Sequence, residues 1–319
     1  MSTAPLGYLD AAGARAHAIL PLTWFTLIVS IVVCVIIGVL LWGGVRRARR
    51  VRAEEIAAVP LVSGPHGLRW ISIGVAISAV PLLVTLVWTM VTLAKASGPP
   101  LHPGLTLDVT AHQWWWEVNY DSDQPAQIFT TANEIHVPVG VPVLVRLHGG
   151  DVIHSFWVPK LSGKTDTIPG QTNLSWFEAR APGRYRGQCA EYCGPQHANM
   201  SFEVVAETQA DFDQWRAAQV QPAPAPHSAA AERGMALVEY RCGLCHGVRG
   251  TLAGAVTAPD LTHLMSRRTI AAGTLPNNPG TLAAWIQNAQ EIKPGTLMPN
   301  QYLTGPELSD VQAYLETLE

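Results

Sequence analysis

The stretch Cys189-Ala190-Glu191-Tyr192-Cys193-Gly194-Pro195-Gln196-His197-Ala198-Asn199-Met200 decides how this chain is read. It places two thiols, an imidazole and a thioether in one loop. A second imidazole, His154, lies upstream in a strand-like segment. Soft sulfur donors combined with borderline imidazoles select copper over hard cations. Two cysteines this close can both bridge a pair of metal ions, each ion then taking one histidine as a terminal ligand. Met200 suits a weak axial position, and the backbone carbonyl of Glu191 suits the other. The set is a recipe for a two-copper electron-transfer site. A disulfide between the cysteines, or a structural zinc held with the histidines, draws on the same residues. Zinc has no use for the methionine.

Around this loop the chain changes character several times. Its 319 residues allow two or three domains, and with 48% hydrophobic against only 14% charged residues it has the balance of a protein with a membrane part. Leu22 to Val45 is an apolar run without a charge, matching the roughly 20 residues a spanning helix needs. It is too long for a signal-peptide core, and no small-residue cleavage site follows it. A second apolar run covers residues 70–95, with Pro81 inside it. Between them, residues 46–69 carry six arginines against two glutamates. Such a basic segment marks the cytoplasmic side. The expected layout is an extracytoplasmic segment 1–21, spans at 22–45 and 70–95, a cytoplasmic loop 46–69, and everything after Lys95 outside the cytoplasm. The lipid bilayer is thus one partner. Nucleic acid is not, because no basic stripe is interleaved with aromatics.

Residues 104–207 read as short β-type runs (105–111, 114–120, 134–137, 141–147, 173–178 and 201–205) punctuated by Pro, Gly and Asn-Asp clusters. Strands so short and regular suggest a small Greek-key barrel or sandwich. This segment holds six basic and eleven acidic residues, so the modest net charge of −3 hides a segregation of charge. Residues 208–228 contain a short helical stretch and then Gln221-Pro222-Ala223-Pro224-Ala225-Pro226, a semi-rigid extended linker. Residues 229–319 are helical in pattern, and Thr304-Gly305-Pro306-Glu307 has the form of a capping box opening a last helix. Within this segment Cys242-Gly243-Leu244-Cys245-His246 has the form that attaches a c-type heme, the thiols adding to the vinyl groups and His246 becoming an iron ligand. A redox-active or zinc-binding pair is the alternative use of such a motif. Cys34 falls in the first apolar run and reads as inert packing.

With these residues quoted, a resemblance can be stated. Cys189 to Met200, together with His154-Ser155-Phe156-Trp157-Val158-Pro159, resembles the dinuclear copper A motif of cytochrome c oxidase subunit II. Lys164-Thr165-Asp166-Thr167-Ile168-Pro169-Gly170 and His112-Gln113-Trp114-Trp115-Trp116 match that family too. The last segment resembles a class I cytochrome c, and Leu297-Met298-Pro299 matches its distal-ligand motif. Met265 is the competing methionine. The whole chain resembles the subunit II of caa-type oxidases, in which a cytochrome c domain is fused at the C-terminal end.

The resemblance implies a multidomain membrane protein: a two-helix hairpin, an all-β cupredoxin domain and an all-α cytochrome c domain. It implies copper ligation by His154, Cys189, Glu191, Cys193, His197 and Met200, and heme c held by Cys242, Cys245, His246 and Met298. Trp114 would lie at the surface where electrons come in, and the Glu191 carboxylate would bind magnesium or manganese at the subunit I interface. The implied partners are oxidase subunit I, subunit III and cytochrome c as donor, in the bacterial inner membrane. The function so implied is relay from cytochrome c through heme c and copper A to subunit I, where oxygen is reduced to water with proton pumping. A membrane-tethered electron carrier without an oxidase partner is the alternative. One departure stands out: the family often has a glutamate just before its second span, where this chain reads Gly64-Pro65-His66-Gly67-Leu68-Arg69. Glu54, Glu55 and His66 are the nearest substitutes.

Overall fold

The computed structural model describes residues 6–50, 65–99 and 101–319. Arg52, Glu54 and Glu55 lie outside the described residues. Two long helices, α1 (Ala14–Arg50) and α2 (Pro65–Ser97), are both long and apolar enough to cross a membrane. Both are longer than the apolar runs that predict them. The runs mark only what the hydrocarbon region can hold, whereas arginine is a good helix former and carries α1 onward. Residues expected in the loop, Arg46 to Arg50 and Pro65 to Arg69, are therefore helical. Proline opens α2, at a position where its missing N–H costs nothing. Phe25 and Trp88 meet across the pair with ring centroids 5.3 Å apart. Gly38, Gly43, Gly44 and Gly74 have nothing within 4 Å of where a Cβ would stand, so they do not pack the helices of this hairpin together.

The β domain is a sandwich of two five-stranded sheets. One runs β3 (Phe129–Ala132), β2 (Trp115–Tyr120), β1 (Leu105–His112), β5 (Val143–Gly149), β8 (Thr172–Phe177). The other runs β4 (Glu134–Pro138), β10 (Ser201–Glu207), β9 (Gly183–Cys189), β6 (His154–Trp157), β7 (Thr165–Thr167). The pairs β1–β5 and β4–β10 are parallel and the others antiparallel, the mixture that Greek-key crossovers leave in a sandwich. Strand β1 alternates buried and half-buried residues along its whole length, as a strand with one face on a core must. Between the sheets, the Trp116 ring stands edge-on to Phe156 (5.7 Å) and tilted against Phe202 (5.2 Å). Each fully buried side chain of this size contributes roughly 1.5–3 kcal/mol.

A helix, α3 (Gln209–Gln219), closes the edge of the second sheet, its first turn capped by Thr208. Trp215 of this helix stacks flat on His136 at 4.1 Å. His136 is nearly buried, and its two ring nitrogens meet Glu134 at 3.0 Å and Glu207 at 2.9 Å. Before α1, the backbone N–H groups of Ala12 and Gly13 donate to the Lys160 carbonyl at 2.7 and 2.9 Å. A Cβ at Gly13 would stand 2.3 Å from the Leu161 carbonyl oxygen, so only glycine permits this approach.

The last domain is helical. Helices α4 (Ala229–Leu237) and α7 (Gly305–Leu315) cross where a Cβ on Gly234 would fall 1.9 Å from the Asp310 carbonyl oxygen. Arg233 grips Asp310 through two bonds of 2.8 and 2.7 Å beside this crossing. Two shorter helices, α5 (Pro279–Gln287) and α6 (Ala289–Ile292), complete it, with a small hairpin of β11 (Thr269–Ile270) and β12 (Leu275–Pro276). The box expected at Thr304 is formed: its side chain accepts from Glu307 N–H, and the Glu307 carboxylate accepts from Thr304 N–H. The proline-rich linker is not free along its length, since Ala223 N–H donates to the Arg249 carbonyl at 2.9 Å.

Candidate metal and heme centres

The twelve-residue stretch joins β9 to β10. Those strands pair antiparallel with Ser201 opposite Gln188, which pins both ends of the loop. Cys189 N–H donates to the Met200 carbonyl at 3.0 Å. On its other side β9 pairs with β6, setting Phe156 opposite Cys189. That register brings His154 to the loop although it lies far back in the sequence. His197 sits on a single tight turn, its N–H bonded to the Gly194 carbonyl at 3.0 Å.

All six expected copper donors converge. The two sulfurs are 3.7 Å apart, and both cysteines are free, so this is no disulfide. His154 Nδ1 lies 3.9 Å from Cys189 Sγ, and His197 Nδ1 lies 3.5 Å from Cys193 Sγ. Met200 Sδ is 3.8 Å from Cys193 Sγ, and the Glu191 carbonyl oxygen is 3.2 Å from Cys189 Sγ. Each sulfur thus has one histidine and one weaker donor beside it, a two-fold arrangement with both thiols in the middle. The thiols titrate as a pair. A hydrogen bond from Cys193, helped by His154 and opposed by burial, holds Cys189 well below its ordinary value, while the hydrogen bond to Cys189, then burial and the Cys189 charge, hold Cys193 well above its own. Cys189 and Cys193 would both hold a bound cation as thiolates, their protons passing to solvent.

Residues behind the donors fix them, and the first of these, Asp151, is silent in the sequence reading. Asp151 Oδ1 accepts from His154 Nε2 at 2.7 Å, which turns Nδ1 inward and sets the tautomer. The same carboxylate accepts from the backbone N–H of Gln113 at 2.6 Å. The Gln113 side chain and the Trp114 indole both donate to the Cys193 carbonyl, at 2.7 and 3.0 Å. Trp114 therefore belongs to the loop's support. Strand β2 begins one residue later than expected, which puts Trp114 in the preceding turn. The residue expected at the surface where electrons come in is 6% exposed. Trp115 stacks on His112 at 4.7 Å, and Trp116 is core. The Glu191 carboxylate is exposed, in a hollow it shares with Ile153 and Tyr192.

In the helical domain Cys242 and Cys245 are free thiols, and a π-turn (Val238–Cys242) delivers the first from α4. His246 Nδ1 donates to the Pro259 carbonyl at 2.7 Å, leaving Nε2 with its lone pair. Burial lowers the imidazole's pKa and keeps it neutral, the form that ligates iron. Met265 packs against the domain's core cluster, which does not include Met298. The backbone around Met298 is shaped by Gln290, whose amide donates to the carbonyls of Thr296 and Met298 at 2.6 and 2.7 Å. Leu244 and Leu297, next in sequence to Cys245 and Met298, are 78% and 86% exposed. Two free thiols and a neutral imidazole in this spacing have the donor chemistry a c-type heme takes.

Residues 123–208 match the family of the periplasmic domain of cytochrome c oxidase subunit II, and residues 231–319 match the cytochrome c family. The subunit 2 of cytochrome c oxidase from Alkalihalophilus pseudofirmus is 32% identical over 98% of this chain and 90% of its own length. That of Bacillus subtilis is 31% identical over 96% of this chain and 88% of its own length. A crystal structure of the periplasmic domain of subunit II from Bradyrhizobium japonicum aligns with 38% of this chain and 96% of its own, at 31% identity and a TM-score of 0.36. The near full-length relatives span the helices, the sandwich and the helical domain together, and the chain belongs to the cytochrome c oxidase subunit II family, with a cytochrome c domain following its periplasmic domain.

Proposed function

We propose that this subunit relays electrons from an external cytochrome c through a heme c held by Cys242, Cys245, His246 and Met298 to a dinuclear copper A centre held by His154, Cys189, Glu191, Cys193, His197 and Met200, and onward to oxidase subunit I. Oxygen reduction to water and the coupled proton pumping belong to that partner. The observation that carries the reading is the convergence of two thiols, two imidazoles, a thioether and a carbonyl around a 3.7 Å sulfur–sulfur gap. When bound, the copper pair and the heme supply one-electron redox steps.

The chain's own residues supply rigidity and exclusion of water. Cys189, Cys193 and Met200 are buried, and the strands β6, β9 and β10 fix the loop ends, so little reorganisation accompanies a change of charge. Thioether ligation at Met298 would raise the heme potential relative to a stronger donor. The exposed Glu191 carboxylate and its hollow are suited to a magnesium or manganese ion shared with subunit I. The helices, with their exposed apolar sides, suit packing in the bilayer against subunits I and III. The segment before α1 is bonded to the sandwich that follows α2, which supports a hairpin with both ends on one side of the membrane. With the arginines of residues 46–52 on the cytoplasmic side, that side is the outside of a bacterial inner membrane.

Electron paramagnetic resonance of the oxidised protein tests the copper assignment. Hyperfine structure from two equivalent copper nuclei is expected, and it should vanish in Cys193→Ser. A four-line single-copper spectrum, or zinc in metal analysis, would overturn it.

A further inference from the structure

Four tryptophans set the depth of the helical hairpin in a bilayer. Trp24 and Trp42 on α1 are 18 residues apart, and so are Trp70 and Trp88 on α2. At 1.5 Å per residue each pair spans about 27 Å, close to the thickness of a bilayer's hydrocarbon core. The Phe25–Trp88 contact at 5.3 Å sets the register of the hairpin. It puts Trp88 level with Phe25, and so Trp70 level with Gly43, next to Trp42. All four rings are exposed on the helix pair. Tryptophan collects at the membrane–water interface, with its apolar body toward the chains and its N–H in the headgroup layer. The four thus mark two belts, Trp24 with Trp88 and Trp42 with Trp70.

The two belts differ in charge. The arginine or lysine nearest to Trp24 on α1 is Arg15, nine residues off on the outer side, and on α2 the nearest to Trp88 is Lys95, seven residues off. At the other belt Arg69 directly precedes Trp70, and Arg46 follows Trp42 by one helical turn. Arg46 and Trp42 form one unit, the guanidinium carbon lying 3.6 Å from the centre of the indole ring. A ring at headgroup depth therefore holds a guanidinium at that depth. Stacking uses the flat face of the guanidinium and leaves its in-plane N–H groups free, the fork that grips a phosphate through two bonds. Arg49 lies on the same side of α1, three residues on, whereas Arg47 is turned about 100° away. Arg46, Arg47, Arg49 and Arg69 are exposed, and neither helix contains an aspartate or a glutamate to neutralise them. Toward the bilayer centre, Val35 and Val39 share the face of Trp42 and are exposed, and nothing stands within 4 Å of a Cβ at Gly38. An open apolar strip thus leads up to the Trp42–Arg46 pair. Orienting a hairpin requires positive charges in the loop. It does not require one of them to be laid on a ring at the depth of the lipid phosphates.

We propose that Trp42 and Arg46, with Arg49, form a binding site for the phosphate of an anionic phospholipid, whose acyl chain lies along Val35, Gly38 and Val39. Basic side chains beside a spanning helix attract such headgroups; the stacked fork selects the phosphate and fixes where it sits. The site rests on reading the two helices as membrane spans, and not on which side of the membrane is the cytoplasm.

The test is photo-crosslinking of the complete oxidase in phosphatidylcholine vesicles doped with phosphatidylglycerol that carries a diazirine in its headgroup, with labelled residues mapped by mass spectrometry. Label is expected on residues 42–49, competed by unlabelled phosphatidylglycerol and not by phosphatidylcholine. Arg46→Gln should cut it about fivefold, the factor an arginine is worth at an anionic surface. Arg46→Lys keeps the charge but not the fork and should fall between parent and glutamine variant. Arg47→Gln removes the same charge from another side of the helix and should retain most of the label. Covalent heme and the copper resonance signal check that each variant is assembled. Parent-level label in Arg46→Lys, or equal loss in Arg46→Gln and Arg47→Gln, would show that charge alone gathers the lipid and overturn the site. Displacement by inorganic phosphate beyond that by chloride at equal ionic strength would assign the site to a free anion and overturn the lipid. Loss of subunit I from the Arg46→Gln complex with its label unchanged would assign Arg46 to a protein contact instead. A second probe, with the diazirine at the end of the acyl chain, should mark Val33 and its neighbours, midway between the belts. No label there would remove the spanning reading itself, whereas label there with none at residues 42–49 from the headgroup probe would remove only the lipid site.

Discussion

The copper loop and the heme-binding segment are both short cysteine-histidine motifs, yet they stand in opposite relations to a core. The copper donors are laid on a finished sandwich. Trp116, Phe156 and Phe202 fill the space between the sheets, and strands β6, β9 and β10 carry His154, Cys189 and Met200 to the rim already in register. The residues proposed to hold heme lie on turns, and the side chains next to them, Leu244 and Leu297, are exposed. The first site is an attachment to a core. The second is a place where a bound heme would supply part of one.

That contrast predicts unequal responses to loss of the cofactor. The largest effect is expected from replacing Cys242 and Cys245 together by alanine. Heme should be absent after denaturing electrophoresis, and limited proteolysis should digest residues 229–319 while residues 104–207 stay intact with their copper signal. A protease-resistant cytochrome domain in that variant would erase the distinction. Conversely, Trp116→Ala strikes the sandwich itself. Removing so large a buried ring costs about 3–5 kcal/mol, read as a lowered denaturation midpoint of the copper domain, with covalent heme retained.

Smaller changes sharpen the copper side. Asp151→Asn keeps the shape but weakens the grip on His154 Nε2, and copper affinity should fall about 10–100-fold by competition with a chelator. An unchanged affinity would mean that strand pairing alone orients the imidazole. The smallest effect concerns the His136 cluster. Burial alone would lower the His136 pKa, but the flanking Glu134 and Glu207 outweigh it and raise it above the ordinary 6.5. Glu134 is burdened by burial yet held below its ordinary 4.5 by His136 and Arg184. The histidine's contribution is complete below 6.5 and is lost as pH climbs through the raised value. The glutamate's is present above 4.5 and lost as pH falls through the lowered value. The cluster is therefore at full strength between these limits. The stability gap between the parent and His136→Gln should be widest there and shrink toward alkaline pH; a gap constant with pH would exclude a charged imidazole.

The two regions also differed in how openly the sequence declared them. Five of the six proposed copper donors sit within twelve residues, so spacing alone nearly outlined the candidate site. What spacing could not show was support from a distance: Asp151 and Gln113 look like ordinary loop residues until β1, β5 and β6 bring them under the loop. Strand β9, Gly183-Arg184-Tyr185-Arg186-Gly187-Gln188-Cys189, escaped because glycine and arginine blur its alternation. One of those glycines is required, since a Cβ at Gly187 would stand 2.2 Å from the Phe202 ring. The helix ends at Ala14 and Arg50 were hidden because hydropathy reports the bilayer and not the hydrogen-bond ladder. In the cytochrome domain the attachment motif and the last helix were legible. Gln290 was not, because its partners are backbone carbonyls, which leave no mark on composition.

The central claim is that the two centres act in series within one chain. Rapid mixing of the oxidised complex with a soluble cytochrome c, following the absorbance of each centre, tests it most directly. The account predicts heme c reduced first, then reoxidised at the rate at which copper is reduced, with that rate independent of protein concentration. Copper reduced ahead of heme c, or a transfer rate that scales with concentration, would contradict it.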